Sequence, residues 1–148
     1  MEIRELGAND GDQLRALWRA SGIRIRPGDD DASLATLTSR NPGLCLVGCE
    51  GERIVASALA AFDGRRGWAY HVATHPDARR RGIATRLVRL IEDRLRALGC
   101  RKLNLIVWEE ERDAMLFWAA LGYRREPAVE FAKELFDRVG ASEAAADP

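Results

Sequence analysis

The sequence predicts a single α+β domain: a mixed, mostly antiparallel twisted sheet of about six or seven strands, about four flanking helices, and one central parallel strand–helix–strand unit. Three observations carry this expectation. Strand-like apolar segments at 44–49, 54–62 and 68–74 are separated by turn-forming residues. From Gly82 to Leu98, residues Ile83, Leu87, Val88, Ile91, Leu95 and Leu98 recur at helical spacing, with Gly99 where a terminating glycine belongs. Another strand-like segment, 102–107, follows, so the order strand–helix–strand points to a parallel pair joined by a right-handed crossover.

The elements follow in order. Ile3 to Leu6 reads as a first strand. Asp10 or Asp12 can cap a helix carrying Leu14, Leu17 and Trp18 on one face and ending at Ser21-Gly22. Residues 23–28 form a loop, and Asp29-Asp30-Asp31 places negative charge at the start of a second helix through Leu34 and Leu37. Asn41-Pro42-Gly43 breaks that helix. The strands 44–49 and 54–62 join at Glu50-Gly51-Glu52 as a hairpin, and residues 63–67 turn the chain into the strand 68–74. After the long helix and the strand 102–107, a short apolar helix over 114–121 closes at Gly122. Tyr123 to Arg125 and Val129 to Lys133 read as a final strand pair around Pro127.

The 148 residues suit one domain with a real core. It is expected to span 1–137, leaving 138–148, small and polar, as a disordered tail. Hydrophobic residues make up 47% and charged residues 31%, the balance of a soluble globular protein. Lys+Arg and Asp+Glu number 23 each, and the zero net charge argues against a general nucleic-acid or membrane-surface binder. No run nears the roughly 20 apolar residues of a membrane span, and no signal-peptide core opens the chain, so a cytoplasmic location is expected. Cys45 and Cys49 on one strand would stand about 13 Å apart, too far for a disulfide. With Cys100 they make three thiols without a histidine nearby, which reads as reduced cysteines and no metal site.

Chemistry concentrates at Arg79-Arg80-Arg81-Gly82-Ile83-Ala84, between a strand and a long amphipathic helix. The first N–H groups of a helix have no partner in the chain, and the dipole favours an anion there. Gly82 and Ala84 leave room for a pyrophosphate to approach, Thr85 adds a hydroxyl donor, and the arginines raise the local potential. The loop is neither a Walker loop, lacking the Lys-Ser/Thr pair, nor a GxGxxG turn. Taken alone, a glycine beside an arginine run also describes a solvated turn.

The context is more specific. Val72-Ala73-Thr74-His75-Pro76-Asp77-Ala78-Arg79-Arg80-Arg81-Gly82-Ile83-Ala84 resembles the acetyl-CoA-binding motif of the GNAT superfamily of N-acetyltransferases, and Ala114-Met115-Leu116-Phe117-Trp118-Ala119-Ala120-Leu121-Gly122-Tyr123 resembles its second motif. The separation and element order fit as well, so the resemblance covers Ile3 to Leu135. It implies transfer of an acetyl group from acetyl-CoA to a primary amine of a small molecule or protein, by direct attack in a ternary complex, with CoA released. The pyrophosphate would sit on backbone N–H groups of Arg81 to Ala84, with Arg79 and Arg80 nearby. The pantetheine arm would pair with Val72, Ala73 and Thr74 like an added strand. A bulge near Thr74 would splay this strand from its parallel neighbour, and the Thr74 N–H would stabilise the oxyanion.

Two positions depart from the family pattern. Its usual tyrosine, the acid for the departing sulfur, falls at Trp118, whose indole N–H is too weak an acid. Its usual asparagine, a CoA contact, falls at Glu111. Ala114 and Phe117 complete the implied cofactor contacts on that helix. For the amine's proton, His71 has a suitable side chain, Asn104 can hold a water, and Glu109 stands just past its strand; a strand histidine without a catalytic role is the alternative for His71, and an acidic helix start for Glu109. Arg24 and Arg26 can recognise a carboxylate or phosphate on the acceptor, whereas Asp29 to Asp31 can attract an amine; solvated loop charge is the alternative for both. A non-catalytic acyl-CoA-binding module is the competing reading, motivated by Trp118 and Glu111. A nucleic-acid-binding domain is a third, with only one short arginine run behind it. Homodimers are common in the proteins this chain resembles.

Overall fold

The computed structural model of the chain describes residues 1–136, and within them five strands form one sheet in the order β1-β2-β3-β4-β5. The elements are β1 (Glu2–Glu5), α1 (Gly11–Ala20), α2 (Asp31–Arg40), β2 (Cys45–Glu50), β3 (Arg53–Phe62), β4 (Gly67–Thr74), a 3-10 turn (Pro76–Ala78), α3 (Ile83–Ala97), β5 (Leu103–Asn104) and α4 (Arg112–Ala120). Pairing is antiparallel from β1 to β4 and parallel between β4 and β5. The α+β class, the four helices and the central parallel unit are therefore as expected. The backbone divides into two compact units, Met1–Ile106 with the whole sheet, and Val107–Pro148 with α4.

Both sheet faces are covered within the first unit. Alternation along β2 and β3 sends Leu46, Ala56, Ala58 and Ala60 to one face, and Leu44 before β2 and Val55, the extra residue where the β2–β3 register shifts, join them against Ile83, Leu87, Ile91 and Leu95 of α3. Cys45, Val47, Ile54, Leu59 and Ala73 gather with Leu14, Leu17 and Trp18 of α1 and Leu34 of α2. Each buried leucine, isoleucine or tryptophan in these clusters contributes on the order of 2 kcal/mol of apolar transfer. Cys45, Cys49 and Cys100 are free thiols in this structure, and burial pushes the Cys45 thiol up to about 11.

Three sequence expectations are corrected. The final strand pair at Tyr123 to Arg125 and Val129 to Lys133 does not form, so the sheet has five strands rather than six or seven. Val129 and Phe131 are 80% and 92% exposed. A strand exists only where a neighbour accepts its ladder, and alternation alone does not provide one. β5 holds two residues rather than the whole of 102–107, because pairing with β4 ends at Asn104. Asp10 does not cap α1 with its side chain. Its carboxylate instead accepts from the Gly7 N–H at 2.6 Å and from two nitrogens of Arg4 at 2.6 and 3.0 Å. The expected tail at 138–148 lies outside the described residues. Among these residues, no helix is long and apolar enough to cross a membrane.

Candidate functional site

The site in the first unit starts from the way β4 leaves its two neighbours. Gly67 pairs with Leu103 and Trp68 with Asn104, and the parallel ladder stops there. At Gly67 a side chain has no room: a Cβ would lie 3.0 Å from the Cys100 sulfur and 3.2 Å from Leu103. Asn104 closes the end of this short ladder by donating from Nδ2 to the Gly67 carbonyl at 3.2 Å. Its amide is thus used at the opposite end of β4 from Thr74. Beyond Trp68, β4 presents an edge without ladder bonds to β5.

On its other side β4 carries a bulge. Ser57 pairs with Ala73 and Leu59 with Tyr70, so Ala58 alone faces His71 and Val72 together. The bulge expected near Thr74 lies at His71–Val72, in the ladder with β3 rather than with the parallel neighbour. His71 has a positive φ of 45°, a left-handed conformation that costs a non-glycine residue on the order of 1–2 kcal/mol. Ser57, fully buried, holds it there by donating to the His71 carbonyl at 2.7 Å and accepting from Trp18 Nε1 at 3.0 Å. After the bulge the ladder resumes, with the His75 N–H donating to the Val55 carbonyl at 2.8 Å. That bond makes Thr74 and Ala56 a non-hydrogen-bonded pair, so the N–H and C=O of Thr74 point away from β3 toward the open edge. The Thr74 carbonyl accepts from Ser21 Oγ at 3.2 Å and Arg79 Nε at 3.3 Å. Val72 is half-buried against the α3-side core, and Ala73 is buried on the α1 side.

The chain then turns through Pro76–Ala78 into α3. Arg80 and Gly82 both adopt the left-handed region, with φ of 63° and 70°. Ile83 is buried and anchors the helix start, while Ala84 and Thr85 are half-buried in its first turn. No side chain caps α3, its first turn carries no acid, and a Cβ at Gly82 would meet nothing within 4 Å. These residues fit a diphosphate: open backbone donors, a positive dipole end and clear space at the glycine. Of the three arginines, Arg81 turns to Glu50 at 2.5 Å and to the Ala78 carbonyl, and Arg79 to Thr74, while Arg80 is exposed.

Above the α1-side face, the loop between α1 and α2 meets the bulge. Asp29 is only 7% exposed, and His71 Nε2 lies 2.9 and 3.0 Å from its two carboxylate oxygens. The same carboxylate accepts from the Arg26 N–H at 2.9 Å, and the Asp29 carbonyl from Arg15 Nη1 at 3.1 Å. The His71 ring packs on Trp18, with centroids 4.3 Å apart. Asp29 is therefore not the exposed amine-attracting charge that its place in an acidic run suggests, and Asp31 pairs with Arg15 at 2.8 Å. Arg24 and Arg26 are exposed at the start of this loop. Sequence reasoning missed Ser57 and the role of Asp29. A serine between alanines in a buried strand was a usable signal; nothing local marks Asp29.

The second unit carries the remaining sequence-predicted residues. Glu109 lies 3.4 Å from Arg125, and Glu111 directly precedes α4. Ala114 and Phe117 are half-buried, and Trp118 is buried, stacking edge-on against Phe117 and Tyr123 at 5.1 and 4.8 Å. The acidic residues 109–111 come before α4 rather than within its first turn, where Asp113 stands.

The chain matches the family model described as Acetyltransferase (GNAT) family over residues 12–123. It is 33% identical over 136 residues to acetyltransferase YE1169 of Yersinia enterocolitica, covering 91% of this chain and 96% of the relative. Identity is also 33% over 138 residues to acetyltransferase ECA0875 of Pectobacterium atrosepticum, covering 93% and 97%. The PaiA N-acetyltransferase of Thermoplasma acidophilum, solved with coenzyme A, shares the fold at a TM-score of 0.76 and 17% identity, over 86% of this chain and 92% of that one. With this sheet topology and with relatives along most of its length, the chain belongs to the GNAT acetyltransferase family and is an acyltransferase.

Proposed function

We propose that this protein transfers an acetyl group from acetyl-CoA to a primary amine of a small molecule or protein. The observation that carries the reading is the Thr74 N–H, directed to the open edge of β4 just before the uncapped start of α3. Bound acetyl-CoA supplies an activated thioester carbonyl. The backbone N–H groups of Arg81, Gly82, Ile83 and Ala84 hold its pyrophosphate, with Arg79, Arg80 and Thr85 around them. The open edge of β4 at Val72, Ala73 and Thr74 pairs with the pantetheine arm as an added strand would. The Thr74 N–H donates to the carbonyl oxygen as negative charge builds on it. His71, at the bulge of the same strand, has a side chain suited to take the amine's proton. Arg24 and Arg26, exposed at the start of the loop between α1 and α2, select the acceptor in this reading, and the protein acts in the cytoplasm.

Calorimetric titration with acetyl-CoA, with free CoA and a nucleotide fragment lacking the pyrophosphate for comparison, tests the cofactor assignment. Binding that depends on the pyrophosphate supports it, and no binding overturns it. Trp118 and Glu111, at the two positions where the family motif carries tyrosine and asparagine, favour a second reading, an acyl-CoA-binding module without turnover. Steady acetylation of any amine by the purified chain eliminates that reading.

A further inference from the structure

We infer that Asp29 is a positioning residue that holds His71 in its Nε2–H tautomer, leaving the Nδ1 lone pair to take the proton of the incoming amine. The inference deepens the acetyl-transfer reading and rests on it. An ionised carboxylate has acceptors only, so the Asp29–His71 contact at 2.9 and 3.0 Å requires the proton on Nε2. In the neutral ring that places the basic lone pair on Nδ1.

The geometry is fixed from both ends. At the backbone, His71 sits in the left-handed conformation at φ 45°, with its carbonyl held by the buried Ser57 hydroxyl. At the ring, Asp29 binds Nε2 while its own orientation is set by the Arg26 N–H, and Trp18 packs against the imidazole at 4.3 Å. A strained backbone, a buried acid and a packed ring all specify one orientation of one imidazole, whose side chain remains 20% exposed. The bulge that strains His71 is also the one that precedes Thr74 in the same strand, so base and oxyanion donor are set by a single ladder irregularity.

In the transfer step the amine nitrogen forms a bond to the thioester carbonyl carbon and loses a proton to His71 Nδ1. The carbon–sulfur bond breaks, its electron pair leaves on sulfur, and the imidazolium passes its proton to solvent. Positioned acid–base catalysis of this kind contributes roughly 10²–10⁴-fold. Replacing the carboxylate by an amide allows the ring to be met by a donor instead, which inverts the tautomer and removes the lone pair from Nδ1.

The test compares the full-length wild type with Asp29→Asn, Asp29→Glu and His71→Gln. Long-range proton–nitrogen NMR reads the His71 tautomer without any ligand, and His75→Gln assigns the signals, since the chain has two histidines. Acetylation is followed with a panel of amino acids, polyamines and peptides. The wild type should show the Nε2–H form. Asp29→Asn should lose that form and lower kcat about 100-fold, with acetyl-CoA affinity by calorimetry unchanged; Asp29→Glu should recover part of kcat. An Nδ1–H tautomer in the wild type, or Asp29→Asn that raises the acceptor KM while keeping kcat, overturns the assignment and makes the pair a loop fastening. Wild type that binds acetyl-CoA and turns over with His71→Gln equally active overturns the base alone. Wild type that binds no acetyl-CoA, or acetylates nothing in the panel, overturns the transfer reading and the base with it.

Discussion

The buried Ser57 hydroxyl accepts from the Trp18 indole N–H at 3.0 Å, and through its own proton this contact reaches the His71 carbonyl at the bulge of β4. One side chain thus ties α1 to the irregularity that shapes the site. Ser57→Ala leaves the Trp18 N–H and the His71 carbonyl without their partner in a dry environment. At about 1–3 kcal/mol for each of the two orphaned groups, the variant should lose roughly 2–6 kcal/mol of stability. Urea unfolding should show the midpoint falling with the slope unchanged. A loss below about 0.5 kcal/mol would mean the hydroxyl is not what fixes the bulge.

Acid sensitivity should have a specific source. The Arg4 guanidinium beside Asp10 holds its carboxyl below the usual carboxylate range, helped by the Gly7 N–H and opposed by burial. A depressed folded value means the stabilisation is complete above the unfolded value of about 3.9 and is lost as pH falls through the folded value. Asp10→Asn should therefore melt several degrees below the wild type at pH 7, corresponding to about 2 kcal/mol for hydrogen bonds to a charged group. The gap should narrow steadily once the pH drops below about 4. Thermal melts of both proteins across that range check the sign; a gap that widens in acid would refute it.

At Gly82 the positive φ and the open space have separable effects. Gly82→Ala pays only the left-handed backbone cost, about 1–2 kcal/mol, and should keep measurable acetyl-CoA affinity. Gly82→Glu adds a side chain and a negative charge where the diphosphate is proposed to sit, and should abolish binding in a folded protein. Calorimetry on both variants decides the point. Equal affinity in Gly82→Glu and Gly82→Ala would remove the phosphate site from this loop.

Trp118 offers a test of leaving-group chemistry. It is buried and packed edge-on between Phe117 and Tyr123. Trp118→Tyr introduces a phenol, a competent proton donor, at the cost of some packing. If the position is used as in the family motif, kcat should rise severalfold while acetyl-CoA affinity changes little. A fall in kcat together with a lower melting temperature would assign Trp118 to packing.

Much of this protein could be read along the chain. The helical recurrence from Ile83 to Leu95 is a local pattern, and α3 buries those very residues. The uncapped glycine at the helix start is likewise encoded by its immediate neighbours. The Val129–Lys133 alternation shows the limit of such reading: the pattern is that of a strand, but no strand forms there.

The α+β class, the strand–helix–strand unit and the glycine at the start of α3 are legible along the chain, because periodicity and glycine placement act over a few residues, and the family is legible in two motifs at matching spacing. Where β4 bulges, which way the Thr74 N–H points, and that Asp29 meets His71 are settled by folding in three dimensions. Those depend on the register between β3 and β4 and on a loop folding back across 42 positions of chain. Register is set by how whole strands share their hydrogen bonds, and a contact between distant residues leaves no trace in the local order of either.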